Sequence, residues 1–184
     1  MLTNSPLAWL NILAYANKDS TSLIGIKELL QKHYEVYGRS FFSRYDYEEV
    51  SSEGAQKLVD NLNQHINGQS LINSTHVSAS TKQSFTISQA YNFDYTDPID
   101  ASVSKNQGQV LQFTDGSRVV FRLSGTGSQG ATVRMYVERY VAKEKGSEEL
   151  GRETQEGLKG LIEVALELSK LKEYLGREKP TVIT

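Results

Sequence analysis

The chain has 184 residues, a length that suits one domain of ordinary size with a sizeable hydrophobic core. Its formal net charge of −2 removes the general attraction that draws basic proteins to nucleic acids and anionic membranes, so any anion site must be local. The absence of cysteine excludes a disulfide framework, a thiolate metal site and a cysteine nucleophile. With no recognisable signal peptide or apolar span, the sequence predicts a soluble, cytoplasmic protein.

The first half of the chain is predicted to be mainly helical. Ser5-Pro6 is a typical helix start, and the stretch LAWLNILAYA that follows is apolar nearly all round, which predicts burial on several sides. The next predicted elements are a helix over 22–37, a strand over 41–50, a helix from Ser51 to about Ile66, and a polar loop over 67–82.

The second half is predicted to be mainly strands, closed by one long helix. Strands are expected over 83–95, 109–113, 117–124 and 132–141, with TDPID as a turn, SKNQG as a loop and Asp115-Gly116 as a hairpin turn. The amphipathic pattern over 153–174 predicts a helix. The order of elements implies an α+β domain, with helices packed on one face of an antiparallel sheet.

Two arginines flank a glycine-rich segment, RLSGTGSQGATVR. Strand alternation places Phe121 and its apolar neighbours on one face and Arg122 on the other, and it separates Met135 from Arg134 in the same way. A hairpin register symmetric about Ser128 pairs Arg122 with Arg134 on the polar face. Like charges that face each other across strands destabilise a sheet by up to about 1 kcal/mol, and a bound anion would reverse that sign.

Phosphate is the anion that best matches this arrangement. Guanidinium groups bind pairs of oxygens bidentately, and consecutive amides in the connection GTGSQG can form an anion-binding concavity together with the hydroxyls of Thr126 and Ser128. The segment lacks the G-K-[ST] of a Walker loop. The alternative is that both arginines are solvated strand residues, neutralised by Glu138 or Glu49, beside a loose hairpin.

The segments FTDGSRVVFRLSGTGSQGATVRMYVERY, SRYDYEEV, NQG and PTVIT resemble the C-terminal region of eukaryotic phosphoglucomutase, in the α-D-phosphohexomutase superfamily. The resemblance extends from about Leu7 to Thr184. It implies a fourth, substrate-phosphate-binding domain with a TATA-box-binding-protein-like arrangement. The phosphate site that it implies consists of Arg122, Ser124, Gly125, Thr126, Gly127 and Arg134.

The resemblance also implies the reaction of the parent enzyme, an isomerase and phosphotransferase of carbohydrate metabolism. Glucose 1-phosphate and glucose 6-phosphate interconvert through a phosphoserine and glucose 1,6-bisphosphate, with magnesium as the metal. This sequence contains no T-A-S-H-N-P serine segment, no D-G-D-G-D-R metal segment and no G-E-E-S sugar loop. We therefore expect no catalytic residue, no metal site and no cofactor in this chain, and no activity from it alone.

The resemblance further predicts that the chain is a fragment. Residues 1–18 match the helix that closes the preceding domain of the family, and residues 19–184 match the phosphate-binding domain. The expected partners are a phosphosugar and the N-terminal domains of the parent, with self-association through the exposed apolar surface of the first helix. No nucleic acid or membrane partner is expected.

Two other functions compete with this interpretation. Some relatives of the enzyme are structural or secretion-associated proteins, and the parent could be one of these; the active-site serine region, which would separate the two cases, lies outside this sequence. The sheet face and its aromatic residues also suggest a nucleic-acid binder, against which the negative net charge argues.

Overall fold

The structure, a computed structural model, describes residues 5–127 and 130–184. The chain divides into two compact units. One comprises the residues up to Arg39 together with Val141–Arg152, and the other comprises Ser40–Tyr140 together with Glu153–Thr184. No helix within the described ranges has both the length and the apolarity that crossing a bilayer requires.

Helices form most of both ends of the chain, and consecutive strands form its middle. In chain order the elements are α1 (Ser5–Asn17), α2 (Ile26–Tyr37), β1 (Arg39–Val50), α3 (Ser52–Asn67), β2 (Thr75–Val77), β3 (Ser84–Thr96), β4 (Val103–Phe113), β5 (Arg118–Gly127), β6 (Gly130–Val141), a 3-10 helix (Lys143–Lys145), α4 (Gly146–Leu150), α5 (Thr154–Ser169), α6 (Leu171–Leu175) and β7 (Val182–Ile183).

The first unit contains α1, α2, the 3-10 helix and α4. No described residue of α1 is buried, although the sequence pattern predicted burial on several sides. Helix α2 begins four residues later than predicted, because Gly25 is its N-cap and the Glu28 carboxylate accepts a hydrogen bond from the Gly25 amide at 3.0 Å. Just before it, the Ile24 amide donates to Asn17 Oδ1 at 2.8 Å, which holds the chain in a turn.

The second unit is a seven-stranded sheet with helices on one face. The strand order is β2-β3-β4-β5-β6-β1-β7, and consecutive strands from β2 to β6 pair antiparallel, as β1 does with β7. The side chains of Leu111, Phe121 and Met135 are fully buried on the face that α3 and α5 cover. The prediction of an α+β fold with helices on one face of an antiparallel sheet is confirmed.

Several predicted boundaries are wrong. The SKNQG segment lies within β4 because Ser104 and Gly108 pair with Tyr95 and Phe93 of β3, and this pairing outweighs the weak strand propensity of the segment. The polar loop over 67–82 contains the short strand β2. The long helix predicted over 153–174 ends at Ser169, because Lys170 adopts a left-handed conformation with φ 48° and separates α5 from α6.

The last residues of the chain form the edge strand β7, which the sequence did not predict. The Thr184 amide donates to the Arg44 carbonyl at 3.0 Å, and the Arg44 amide donates back to the Thr184 carbonyl at 2.8 Å. The Thr181 amide donates to the Asp46 carbonyl at 2.7 Å. These bonds hold the part of β1 that carries Arg44 and Asp46.

Candidate phosphate-binding site

The hairpin of β5 and β6 places the two arginines as the sequence predicted. Arg122 pairs with Arg134, and Ser124 pairs with Thr132. Beyond Ser124 the register shifts by one residue at Gly125, which has a φ of +67°. This conformation belongs to the left-handed region that glycine adopts without strain. Ser128, the predicted centre of the hairpin, lies outside the described residues.

Both guanidinium groups belong to the face of the sheet opposite the helices. Phe121 and Met135, their neighbours along the strands, are buried on the helix side, whereas Arg122 is exposed and Arg134 is half-buried. Directly opposed side chains in an antiparallel pair have Cβ atoms about 4.5–5.5 Å apart, so the two arginines can reach one anion. The alternation argument from the sequence is therefore supported by the register and by the burial.

Arg122 is the less neutralised of the two arginines. Its Nη2 donates to Gln107 Oε1 at 3.3 Å, and it forms no ion pair with any residue in the described part of the chain. Arg134 has a carboxylate neighbour, because its Nε lies 3.7 Å from Asp46 Oδ2. Asp46 Oδ1 is 3.0 Å from Arg44 Nε, so one carboxylate lies between two guanidinium groups.

The alternative interpretation named the wrong carboxylates. Glu138 accepts a hydrogen bond from Arg118 Nε at 2.7 Å, and neither Glu138 nor Glu49 pairs with Arg122 or Arg134 among the described residues. The carboxylate beside Arg134 is Asp46, which is only 3% exposed. Asp46 was missed because its position beside Arg134 depends on β1 being the neighbour of β6, which is a property of the topology.

The site carries a surplus of positive charge. Arg44, Arg122 and Arg134 supply three guanidinium groups, and Asp46 supplies one carboxylate, which leaves two more cations than anions in the cluster. Such a cluster beside a glycine bulge suits a divalent oxyanion. Magnesium does not fit this site, because the site offers a single carboxylate among guanidinium groups, which repel a divalent cation.

Comparison with known proteins identifies the family. The model of the phosphoglucomutase-1 C-terminal domain matches residues 39–181, which includes every strand from β1 to β6. The chain belongs to the phosphoglucomutase-1 C-terminal domain family. The resemblance noted in the sequence is thereby confirmed.

Full-length phosphoglucomutases match almost the whole chain. Cytoplasmic phosphoglucomutase of Solanum tuberosum is 47% identical over 97% of this chain, and phosphoglucomutase-1 of Homo sapiens is 47% identical over the same share. The chain spans about 30% of the length of each of these relatives. A crystal structure of parafusin, an exocytosis-sensitive phosphoprotein and phosphoglucomutase from Paramecium, matches 98% of this chain with a TM-score of 0.77 and 39% identity, and the match covers 28% of that protein.

Asp46 in this phosphoglucomutase domain lowers the positive potential at Arg134. We expect Asp46→Asn to tighten the binding of inorganic phosphate about fivefold, because two unit charges about 4 Å apart in a water-exposed site interact by about 1 kcal/mol. The same change is expected to cost about 1–3 kcal/mol of unfolding free energy, since two guanidinium groups lose their carboxylate. Titration by NMR and urea denaturation measure the two effects.

Glu138→Gln is the matched control for this prediction. It removes a carboxylate from the same sheet face, but this carboxylate pairs with Arg118, which lies four residues before Arg122 on β5. A smaller gain in phosphate affinity is expected from this control. Weaker phosphate binding by Asp46→Asn would contradict the electrostatic role and would mean that the carboxylate chiefly orients Arg134.

Proposed function

We propose that this domain binds the phosphate group of a phosphosugar at a site formed by both strands of the β5–β6 hairpin. The site residues are Arg122, Ser124, Gly125, Thr126, Gly127 and Arg134. The observation that carries the proposal is the direct pairing of Arg122 with Arg134 beside the bulge at Gly125. A pair of like charges in that position is unfavourable unless an anion is shared between them.

We infer that the whole protein is a phosphoglucomutase, which interconverts glucose 1-phosphate and glucose 6-phosphate. In that reaction this domain would hold the phosphate that is not being transferred, while the reacting end of the sugar lies near the other domains. Binding energy at a remote phosphate orients the reacting oxygen, and positioning of this kind can contribute several kcal/mol. Magnesium and glucose 1,6-bisphosphate would act with the rest of the protein, since no described group of residues here suits a metal.

Phosphate binding can be tested on the chain as it is. In an NMR titration with glucose 6-phosphate, we expect the amide signals from Gly125 to Ser128 to shift with a dissociation constant near or above about 1 mM, which corresponds to about −4 kcal/mol. Glucose without phosphate should leave those signals unchanged. Equal shifts with glucose and glucose 6-phosphate would contradict a phosphate site.

The chain alone is expected to be inactive. It lacks the sequence segments that in the family carry the phosphoserine, the metal ligands and the sugar-specificity loop. A coupled assay with glucose 1-phosphate should therefore show no glucose 6-phosphate formation above a protein-free blank. Reproducible turnover in a preparation free of other phosphoglucomutases would show that this chain contains catalytic groups that the motifs do not reveal.

One likeness bears on the alternative of a secretion-associated parent. The Paramecium protein that matches at a TM-score of 0.77 is described as both an exocytosis-sensitive phosphoprotein and a phosphoglucomutase. That description combines the two functions, so the likeness does not favour a non-catalytic parent over an enzyme. We favour a cytoplasmic enzyme as the parent, although chloroplastic phosphoglucomutase of Solanum tuberosum is 48% identical to this chain.

We propose that α1 mediates contacts with other protein surfaces. Its apolar residues Leu7, Leu10 and Tyr15 are largely exposed, and in the family the matching helix closes the preceding domain. On this interpretation residues 1–18 belong with that domain, and residues 19–184 form the phosphate-binding domain. The other domains of the parent would cover α1.

Self-association of the chain is the expected result of that exposure. Light scattering should show a mean mass that rises with protein concentration, and Leu10→Glu should reduce the rise because it places a charge in the apolar surface. Leu23→Glu changes an exposed leucine outside α1 and serves as the control. A constant monomer mass at high concentration would count against the proposal.

A further inference from the structure

A pocket of about 710 Å³ lies on the open face of the sheet, next to the arginine pair. Pockets of about 300–1,000 Å³ with mostly apolar walls and a few polar groups are typical of small-molecule sites. Aromatic and aliphatic side chains form most of its wall, namely Phe42, Tyr91, Phe93, Val110, Val120 and Tyr136. Polar side chains also line it, including Arg44, Gln107, Arg118 and Glu138.

The strand register shows how the pocket adjoins the arginines. Tyr91 pairs with Val110, Val110 with Val120, and Val120 with Tyr136, so these four residues form one row across β3, β4, β5 and β6. The next row begins with Phe93 and Gly108, which also pair, and ends with Arg122 and Arg134. An aromatic ring and the two guanidinium groups therefore share one row of the sheet.

Gly108 lies between the aromatic and the cationic parts of this row, where neighbouring atoms leave little room for a side chain. It immediately precedes Gln109, which pairs with Phe121, so Gly108 lies beside Arg122 on the neighbouring strand. A Cβ atom at this position would lie 3.2 Å from Val120 Cγ1 and 3.0 Å from the Phe121 carbonyl oxygen. Since neighbouring strands are about 4.8 Å apart, the Phe93 and Arg122 backbones, two strands apart, are separated by about 10 Å.

A ligand that occupies both the aromatic pocket and the arginine pair must carry a planar apolar group close to a phosphate. A hexose ring is a poor match for Val110 and Val120 in the middle of the neighbouring row, because hydroxyl groups against these aliphatic side chains would lose hydrogen bonds. A heterocyclic base presents a flat face to aromatic rings and carries hydrogen-bonding groups along its edge. The side chains of Gln107, Arg118 and Glu138, which line the pocket, offer partners for such groups.

We propose that this pocket binds the base of a nucleoside monophosphate whose phosphate is held by Arg122 and Arg134. The inference rests on the proposed function, because the nucleotide would occupy the same phosphate site as the phosphosugar. Its consequence is regulatory: a nucleoside monophosphate competes with the phosphosugar for the arginine pair, and the aromatic pocket gives it an advantage over inorganic phosphate.

Calorimetric titration with adenosine monophosphate and with inorganic phosphate tests the proposal. We expect the wild-type chain to bind the nucleotide about tenfold more tightly, equivalent to about 1.4 kcal/mol. Phe93→Ala should remove this advantage and leave phosphate binding unchanged. Tyr95→Ala is the matched control, because Tyr95 is an aromatic residue of the same strand with similar exposure, 46% against 45% for Phe93, and it does not line the pocket.

Each outcome supports or overturns the proposal. Circular dichroism establishes that the variants are folded, and Tyr91→Ala replaces Phe93→Ala if the latter is not. Equal wild-type affinities for the two ligands would overturn the nucleotide site. Equal losses of nucleotide affinity in Phe93→Ala and Tyr95→Ala would overturn it as well. If Arg122→Ala and Arg134→Ala bind phosphate like the wild type, the proposed function fails and this inference fails with it. If those variants lose phosphate but wild-type nucleotide has no advantage, only the nucleotide inference fails.

Discussion

Replacing either Arg122 or Arg134 with alanine is expected to weaken glucose 6-phosphate binding at least about tenfold. Each guanidinium can form charge-assisted hydrogen bonds to phosphate oxygens, and a bond to a charged group contributes about 1.5–3 kcal/mol, equivalent to about 10- to 150-fold in affinity. Arg122 should show the larger loss, because it has no carboxylate partner in the described part of the chain, whereas Arg134 already has Asp46 at 3.7 Å. NMR titration of the amide at Gly125 measures both losses.

Arg118→Ala is the matched control for these variants. Arg118 is an arginine of the same strand and face, it pairs across the hairpin with Glu138, and its charge is already neutralised by that carboxylate. Its removal should change glucose 6-phosphate affinity less than about twofold. Equal losses in all three variants would mean that the ligand responds to the general charge of the sheet face and that no specific site exists.

Phe121→Ala is expected to lower the free energy of unfolding by about 3–5 kcal/mol, the usual cost of removing a buried aromatic side chain from a core. Phe121 is 0% exposed, and on the helix side of the sheet it lies between its partners Gln109 and Met135. With a urea m-value of about 1–3 kcal/mol per molar, the denaturation midpoint should fall by more than about 1 M.

Phe42→Ala provides the comparison for the core variant. Phe42 is 72% exposed on the opposite side of the sheet, so its removal should cost less than about 1 kcal/mol. A similar midpoint for Phe121→Ala and Phe42→Ala would contradict the assignment of the two faces. The position of the arginine pair depends on that assignment, because Arg122 follows Phe121 and must therefore lie on the open face.

The arginine pair was predictable because it depends only on local rules. Strand alternation assigned Arg122 and Arg134 to the polar face, and symmetry of the hairpin about Ser128 gave their pairing, which the register confirms. The one-residue shift at Gly125 was not predicted, since a bulge in a glycine-rich segment changes the register without changing the pattern of apolar residues.

The parts that escaped prediction depend on contacts between distant segments. The position of Asp46 beside Arg134 requires that β1 lie next to β6, although about 80 residues separate them in sequence. The SKNQG segment has few strand-forming residues and becomes part of β4 through pairing with β3. The aromatic pocket joins residues of several strands, including Phe42 and Tyr136, and no local pattern brings them together.

A double-mutant cycle on Arg122 and Arg134 tests the central claim most directly. Dissociation constants for glucose 6-phosphate are measured for the wild type, Arg122→Ala, Arg134→Ala and the double variant. If both guanidinium groups bind one phosphate, the two losses should be non-additive by at least about 0.5 kcal/mol, as expected for residues that share a partner. If the loss of binding free energy in the double variant equals the sum of the two single losses within about 0.3 kcal/mol, the arginines act independently. That result would contradict a shared site.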